Sequence, residues 1–256
     1  MIPIFKSNFS IGKSILTLDI PESCPDEDAA DSILQIAKEN NLTQLVLVED
    51  SMIGFLEAHK ATKNMGIHLI YGLRMNCCND VLDEKKEQSK HKIIIFAKND
   101  NGCKLLNKIY SKAFCDHSGY IDCKILQELW DESSLKLAIP FYDSYIHNNS
   151  FGFGTCLPNF VFTRPHYFIE RNHLPFDSLL ERQVNSITKD PVLVKTILYK
   201  SKKDVFAFQT YKCLTNRSFG KESSLSSPNL NHFGSDEFCW ESFLKESKKY
   251  GRPVTV

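Results

Sequence analysis

The chain has 256 residues, 42% of them hydrophobic, enough to bury the core of one large domain. Lys plus Arg and Asp plus Glu balance at 31 each, so no net field draws the protein to nucleic acid or an acidic membrane, although a local basic patch stays open. Met1 leads straight into an apolar tetrapeptide without a basic region, so no signal peptide is expected, and no stretch approaches the ~20 apolar residues that cross a bilayer.

In chain order, residues 2–5 (IPIF) and 14–18 (SILTL) read as short strands. Ala30, Ile33, Leu34 and Ala37 fall at helical spacing within 26–39, with Ser23 and Asp26 as cap candidates. Residues 44–48 (QLVLV) form a continuous apolar run suited to a strand buried on both faces. Residues 52–66 carry a helical stripe of Met52, Phe55, Leu56 and His59 and end at Gly66. Strands are predicted at 67–72, 92–97 and 135–140, the second after a mixed-charge loop over 83–92. Helices are predicted at 101–114, with Leu105, Leu106, Ile109, Tyr110, Ala113 and Phe114 on one face, and at 122–130. Residues 141–175 read as long loops with short strands in NFVF and HYFIE. A helix at 176–187, a strand at 192–198, a helix at 202–214 and a Ser235-capped helix at 235–246 follow, the last after a Ser- and Asn-rich stretch.

Repeated βα units with buried strands predict a parallel sheet, wound on both faces or closed into a barrel. There is no GxGxxG or P-loop to favour a nucleotide-binding sheet. A barrel carries its chemistry at the C-terminal ends of its strands. Those ends hold Lys6 and Asn8, Glu49 and Asp50, Arg74, and Thr196 and Leu198. Two adjacent carboxylates can hold a divalent cation or act as acid and base; Lys6 and Arg74 in the same space would instead neutralise them in an ion-pair network. The eight histidines form no ligand set in sequence. The nine cysteines are scattered and lack a CxxC pair, which reads as reduced thiols in a cytoplasmic protein and gives no zinc-ligand spacing. GFGTC (152–156) has half of a nucleophile motif without its serine.

Taken in order, these strand ends resemble the polymerase and histidinol phosphatase (PHP) domain that opens bacterial and phage DNA polymerase III alpha subunits. FKSNFS (5–10) is similar to that family's His-x-His or His-x-Asp motif followed by an aromatic and Ser. LVLVEDSMIGFLEAHKATKNMGIHLIYGLRM (45–75) resembles its Thr-Asp-His stretch, helix and following strand. HKIIIFAKNDNGCKLLNKIYSKAF (91–114) resembles the next strand and helix, and YIDCKILQEL (120–129) the segment after it. VKTILYKSKKDVFAFQTYKCL (194–214) resembles the family's Asn-Asp-x-His-Tyr strand and helix, and LSSPNLNHFGSDEFCWESF (225–243) the segment leading towards the polymerase palm. The resemblance implies a distorted (β/α)7-type PHP barrel over 1–215, with a linker and helical extension over 216–256.

The departures from the family carry as much as the matches. The family's metal ligands fall on Lys6 and Asn8, Glu49 and Asp50, Arg74, and Thr196 and Leu198, with one more near His91 or Lys92. Lysine and arginine repel a cation and leucine offers no donor. The expectation is therefore a degenerate cleft with no catalytic residues and no cofactor, in a domain that organises a C-family replicative polymerase. The resemblance further implies that the palm lies outside these residues. Expected partners are the remaining polymerase domains or subunit, a proofreading exonuclease, and DNA indirectly, with no membrane. The alternative is a PHP phosphoesterase or 3′–5′ exonuclease with zinc or manganese at Glu49 and Asp50, and Lys6 and Arg74 on the substrate phosphate.

Overall fold

The computed structural model describes residues 1–19, 30–152, 154–215 and 235–250. Its strands are β1 (Ile2–Phe5), β2 (Gln44–Glu49), β3 (His68–Cys78), β4 (His91–Ala97), β5 (Tyr120–Asp122), β6 (Leu135–Ile139), β7 (His166–Ile169) and β8 (Val192–Ile197). Its helices are α1 (Ile33–Glu39), α2 (Phe55–Asn64), α3 (Asp100–Ser111), α4 (Cys123–Leu129), α5 (Tyr145–Phe151), α6 (Asp177–Ile187), α7 (Val205–Thr215) and α8 (Trp240–Tyr250). The strands run in the order β2-β1-β8-β7-β6-β4-β3, and β3 returns to pair with β2, closing a seven-stranded barrel. β5 adds to the far end of the long β3. The expected α/β barrel with a C-terminal helix is the observed fold.

One strand breaks the parallel pattern. β4 runs antiparallel to both β3 and β6. The connection from β3 to β4 holds only a 3-10 turn, at Lys86–Ser89, and no crossover helix, which is what a parallel return would need. The start of β4 therefore lies at the mouth where the neighbouring strands end.

Alternation along the strands builds two cores. Ile2, Ile4, Val46, Val48, Ile94, Phe96, Ala138, Phe168 and Val194 fill the barrel, and the residues between them face the helices. Gly72 faces inward against close neighbours: a Cβ there would lie 2.6 Å from Phe96 Cε1 and 3.1 Å from Val48 Cγ2. Residues 235–250 are tied to the outside of the barrel. Leu198 N donates to Phe238 O, and Trp240 stacks on Phe5 at 5.5 Å and on Phe243 at 4.8 Å. Lys195, fully buried on the outer face of β8, places Nζ 3.0 Å from Glu246 Oε1 and 2.8 Å from Arg171 O.

Several sequence expectations need correction. Residues 14–18 are not a strand; Ile15 and Ser14 bond the Leu198 carbonyl and only Thr17 forms a bridge, to Ser32. The first helix begins at Ile33, capped by Ser32, whose Oγ accepts from Gln35 N; Ser23 and Asp26 lie outside the described residues. NFVF turns instead of pairing, with Phe160 and Phe162 packed against Tyr145 and Trp130. The last helix starts at Trp240, five residues past Ser235, whose Oγ instead donates to Asn172 O. Two of the histidines are buried, His91 in β4 and His147 within α5. The sequence reading also lacks α5, whose residues are weak helix formers; Ser144 caps its start and Gly152, at φ 69°, ends it.

Candidate functional site

At the mouth, the alternation that fills the barrel with aliphatic side chains continues into polar ones. Lys6 follows Ile4, Asp50 follows Val48, Arg74 follows Gly72, Glu170 follows Phe168 and Thr196 follows Val194, each by two residues. On the antiparallel β4 the same face reaches the mouth at Lys92, two residues before Ile94. A cavity of about 130 Å³ lies here. Lys6, Lys13, Arg74, Asp143, Glu170, Thr196, Leu198 and Lys212 line it above a floor that includes Ile4, Val48, Ile94 and Phe168.

Two ion pairs set its polarity. Lys6 Nζ lies 2.9 Å from Asp50 Oδ1, with side chains 7% and 27% exposed. Burial alone would raise the Asp50 carboxyl, but the charges of Lys6 and Arg74 and the Lys6 hydrogen bond bring it down to about 2. Burial lowers Lys6, and repulsion from Arg74 adds to this, against the pull of Asp50. Arg74 Nη2 lies 2.8 Å from Asp143 Oδ2. Half of the Asp143 side chain is exposed, so water screens this pair. Glu170 is buried and pushed up by desolvation, although Thr196 Oγ1 donates to its Oε1 at 2.9 Å and Asn172 Nδ2 to its Oε2 at 3.2 Å.

Five of the seven residues expected at the cleft converge: Lys6, Asp50, Arg74, Thr196 and Leu198. Two do not. Glu49 points behind β2, where Ser7 Oγ donates to its Oε1 at 2.6 Å and Ser10 Oγ to its Oε2. Burial there raises its carboxyl. Asn8 is exposed in a turn, its backbone N–H bonded to Leu16 O. Glu49 and Asp50 are neighbours in sequence but serve opposite sides of a strand end, so they do not form a paired-carboxylate site. Sequence reasoning missed Lys13, Asp143, Glu170 and Lys212. Glu170 was within reach, since HYFIE ends in an acid on the inward register as LVLVED does. Lys13, Asp143 and Lys212 come from connecting segments and a distant helix, where no strand register points to them.

The donor set does not fit a metal centre. Among the described residues no three His, Cys, Asp or Glu side chains converge to hold a metal ion. The carboxylates that do reach the mouth are engaged by Lys6, Arg74 and Thr196. Ammonium and guanidinium groups at these positions raise the energy of a cation. His91, the remaining ligand candidate, turns its ring away from the mouth: Nδ1 meets Ser89 O at 3.2 Å, and burial lowers the imidazole to about 4. No helix among the described residues is long and apolar enough to cross a membrane.

No curated protein matches the chain. Residues 25–148, the stretch that includes Asp50, Arg74, Lys92 and Asp143, match the family model of the PHP domain.

Proposed function

We propose that this chain is a PHP domain without hydrolytic activity, serving as the organising front end of a C-family replicative DNA polymerase. The observation that carries the first part is the pairing of Lys6 with Asp50 and of Arg74 with Asp143 at the strand ends where PHP chemistry is expected. The polymerase assignment rests on the order and spacing of the segments that resemble the DNA polymerase III alpha subunit, from FKSNFS through VKTILYKSKKDVFAFQTYKCL. In this reading the domain acts by packing against the catalytic polymerase domains or subunit, in the cytoplasm, and meets DNA only through them.

The test has two arms. Elemental analysis of the purified protein should find no stoichiometric zinc or manganese, and protein supplied with manganese should leave phosphate monoesters and single-stranded DNA uncleaved. Co-purification with a polymerase palm subunit encoded beside it, or continuation of its reading frame into one, should supply the partner. A bound metal together with nuclease activity that disappears in Asp50→Ala would refute the non-hydrolytic assignment. An adjacent coding sequence without any polymerase palm would refute the second part.

A further inference from the structure

The mouth carries more positive charge than its ion pairs use. Lys6, Lys13, Arg74, Lys92 and Lys212 stand at or beside the cavity, against the carboxylates of Asp50, Asp143 and Glu170. That leaves a formal excess of two positive charges, and of one if Glu49 behind β2 is counted as ionised. Asp50 and Asp143 are committed to Lys6 and Arg74. Lys212 is 2% exposed, yet it makes no side-chain hydrogen bond or ion pair among the described residues; its ammonium lies 5.2 Å from the Phe208 ring and lines the cavity. Lys13 lines the same cavity, likewise without a side-chain bond or ion pair among the described residues. Lys92, two residues before the inward-facing Ile94 on β4, feels the charges of Arg74, Asp50, Asp143 and Lys13.

A buried ammonium without a counter-charge is costly, and several sharing one concave site favour an anion between them. Arg74 supplies a planar donor fork and the lysines supply mobile point charges, the two means by which proteins hold phosphate. At about 130 Å³ the cavity is smaller than the roughly 300–1,000 Å³ of pockets that enclose a whole drug-sized ligand. A compact oxyanion fits that space, while any organic group attached to it stays outside.

We propose that the barrel mouth is a direct, metal-free binding site for a phosphate-type oxyanion, held by Lys13, Lys212 and Arg74 with Lys92 at the rim. The polarity of the site is reversed: the anion occupies the place for which the fold family leads one to expect cations. This inference rests on the reading of the cleft as metal-free.

The test uses the full chain after EDTA treatment and exchange into phosphate-free buffer. Titration calorimetry is run with inorganic phosphate, with a nucleoside monophosphate, and with a short oligodeoxynucleotide bearing either a 5′-phosphate or a 5′-hydroxyl. Binding of phosphate is expected, weakened at least about tenfold in Lys212→Gln and in Lys13→Gln, since a hydrogen bond to a charged group contributes at least the equivalent of that factor. Lys13 lies in a loop, so Lys13→Gln tests the site even if the buried Lys212→Gln variant folds poorly. Binding of inorganic phosphate alone identifies a free-ion site; preference for the monophosphate or for the 5′-phosphorylated strand identifies a terminal phosphoryl group. Absence of binding by all four probes, or equal binding by wild type and both variants, overturns the proposal. Elemental analysis separates the two readings: lost phosphate binding in metal-free protein leaves the non-hydrolytic assignment standing, whereas a stoichiometric metal removes the basis of both.

Discussion

Replacing Asp50 with Asn should expose what the ion pair at the mouth contributes. The substitution keeps the shape but leaves Lys6, 5% exposed, facing Arg74 without its counter-charge. Asp50 titrates at about 2 against an ordinary 3.8, and its side chain is only 27% exposed. At 1.36 kcal/mol per unit this corresponds to about 2 kcal/mol of native-state stabilisation at pH 7. Because the folded value is the depressed one, the contribution is complete above the unfolded carboxyl's range. It is lost as pH falls from about 4 towards 2. Urea unfolding of wild type and Asp50→Asn should therefore differ by about 2 kcal/mol at pH 7 and by roughly half that near pH 3. The double variant Lys6→Met/Asp50→Leu should recover most of the loss, since removing both members of a buried pair costs far less than removing one. A deficit at pH 7 below about 0.5 kcal/mol, or one that does not shrink in acid, would refute the claim that this pair neutralises the mouth.

Other expectations follow from the packing and charge. Gly72→Ala puts a methyl group 2.6 Å from Phe96 Cε1 and should cost about 1–3 kcal/mol in urea melts; an unchanged midpoint would mean the barrel interior is looser than its contacts imply. Trp240→Ala removes the stack on Phe5 and Phe243 and should cost about 3–5 kcal/mol, with hydrogen-exchange protection lost first in α8; equal protection in both proteins would count against its docking role. Burial holds Lys92 and Lys212 down at about 8. Arg74 and Lys13 push Lys92 further down while Asp50 and Asp143 oppose them, and Lys13 and Asp143 act likewise on Lys212. NMR of reductively ¹³C-methylated protein in phosphate-free buffer should show two lysine signals titrating near 8, and a set all near the ordinary ~10.4 would contradict the crowding of cations.

How far the sequence reached can be seen residue by residue. QLVLV could hardly be anything but a buried strand, and the closing of β2 against β3 follows from two such runs on either side of one helix. The inward register, once Ile4 and Val48 are in the barrel, carries Lys6 and Asp50 to the mouth without further information. The same rule sends Glu49 behind the strand, so treating Glu49 and Asp50 as a pair ignored a period of two that the sequence already displays. Other parts depended on contacts distant in sequence. Nothing in the charged run over 83–92 says that β4 reverses direction, because the signal is the absence of a crossover helix and not a residue pattern. Lys212 reaches the cavity from α7, across a span that only the closed barrel brings together. Residues 14–18 have strand composition, but Ser14 and Ile15 bond the Leu198 carbonyl and leave no regular pairing.

The geometry of the mouth also explains how such a site can change its charge without losing its fold. In a closed barrel the inward-facing residues at the strand ends converge whatever their chemistry, because strand tilt and alternation bring them there. Polar groups placed together at the edge of a low-dielectric interior must be balanced, either by a bound ion or by each other. Here Lys6 is balanced by Asp50 and Arg74 by Asp143, two local solutions that need no metal and leave the aliphatic floor of Ile4, Val48, Ile94 and Phe168 untouched. Among the described residues the balance is incomplete on the side of Lys13, Lys92 and Lys212. The floor sets the stability of the barrel and the rim sets its ligand. A substitution series confined to Lys13, Lys92 and Lys212 should therefore move anion affinity while the unfolding free energy from urea melts stays within about 0.5 kcal/mol of wild type for Lys13→Gln, the loop position, and loss of the fold in that variant would show that floor and rim are not separable.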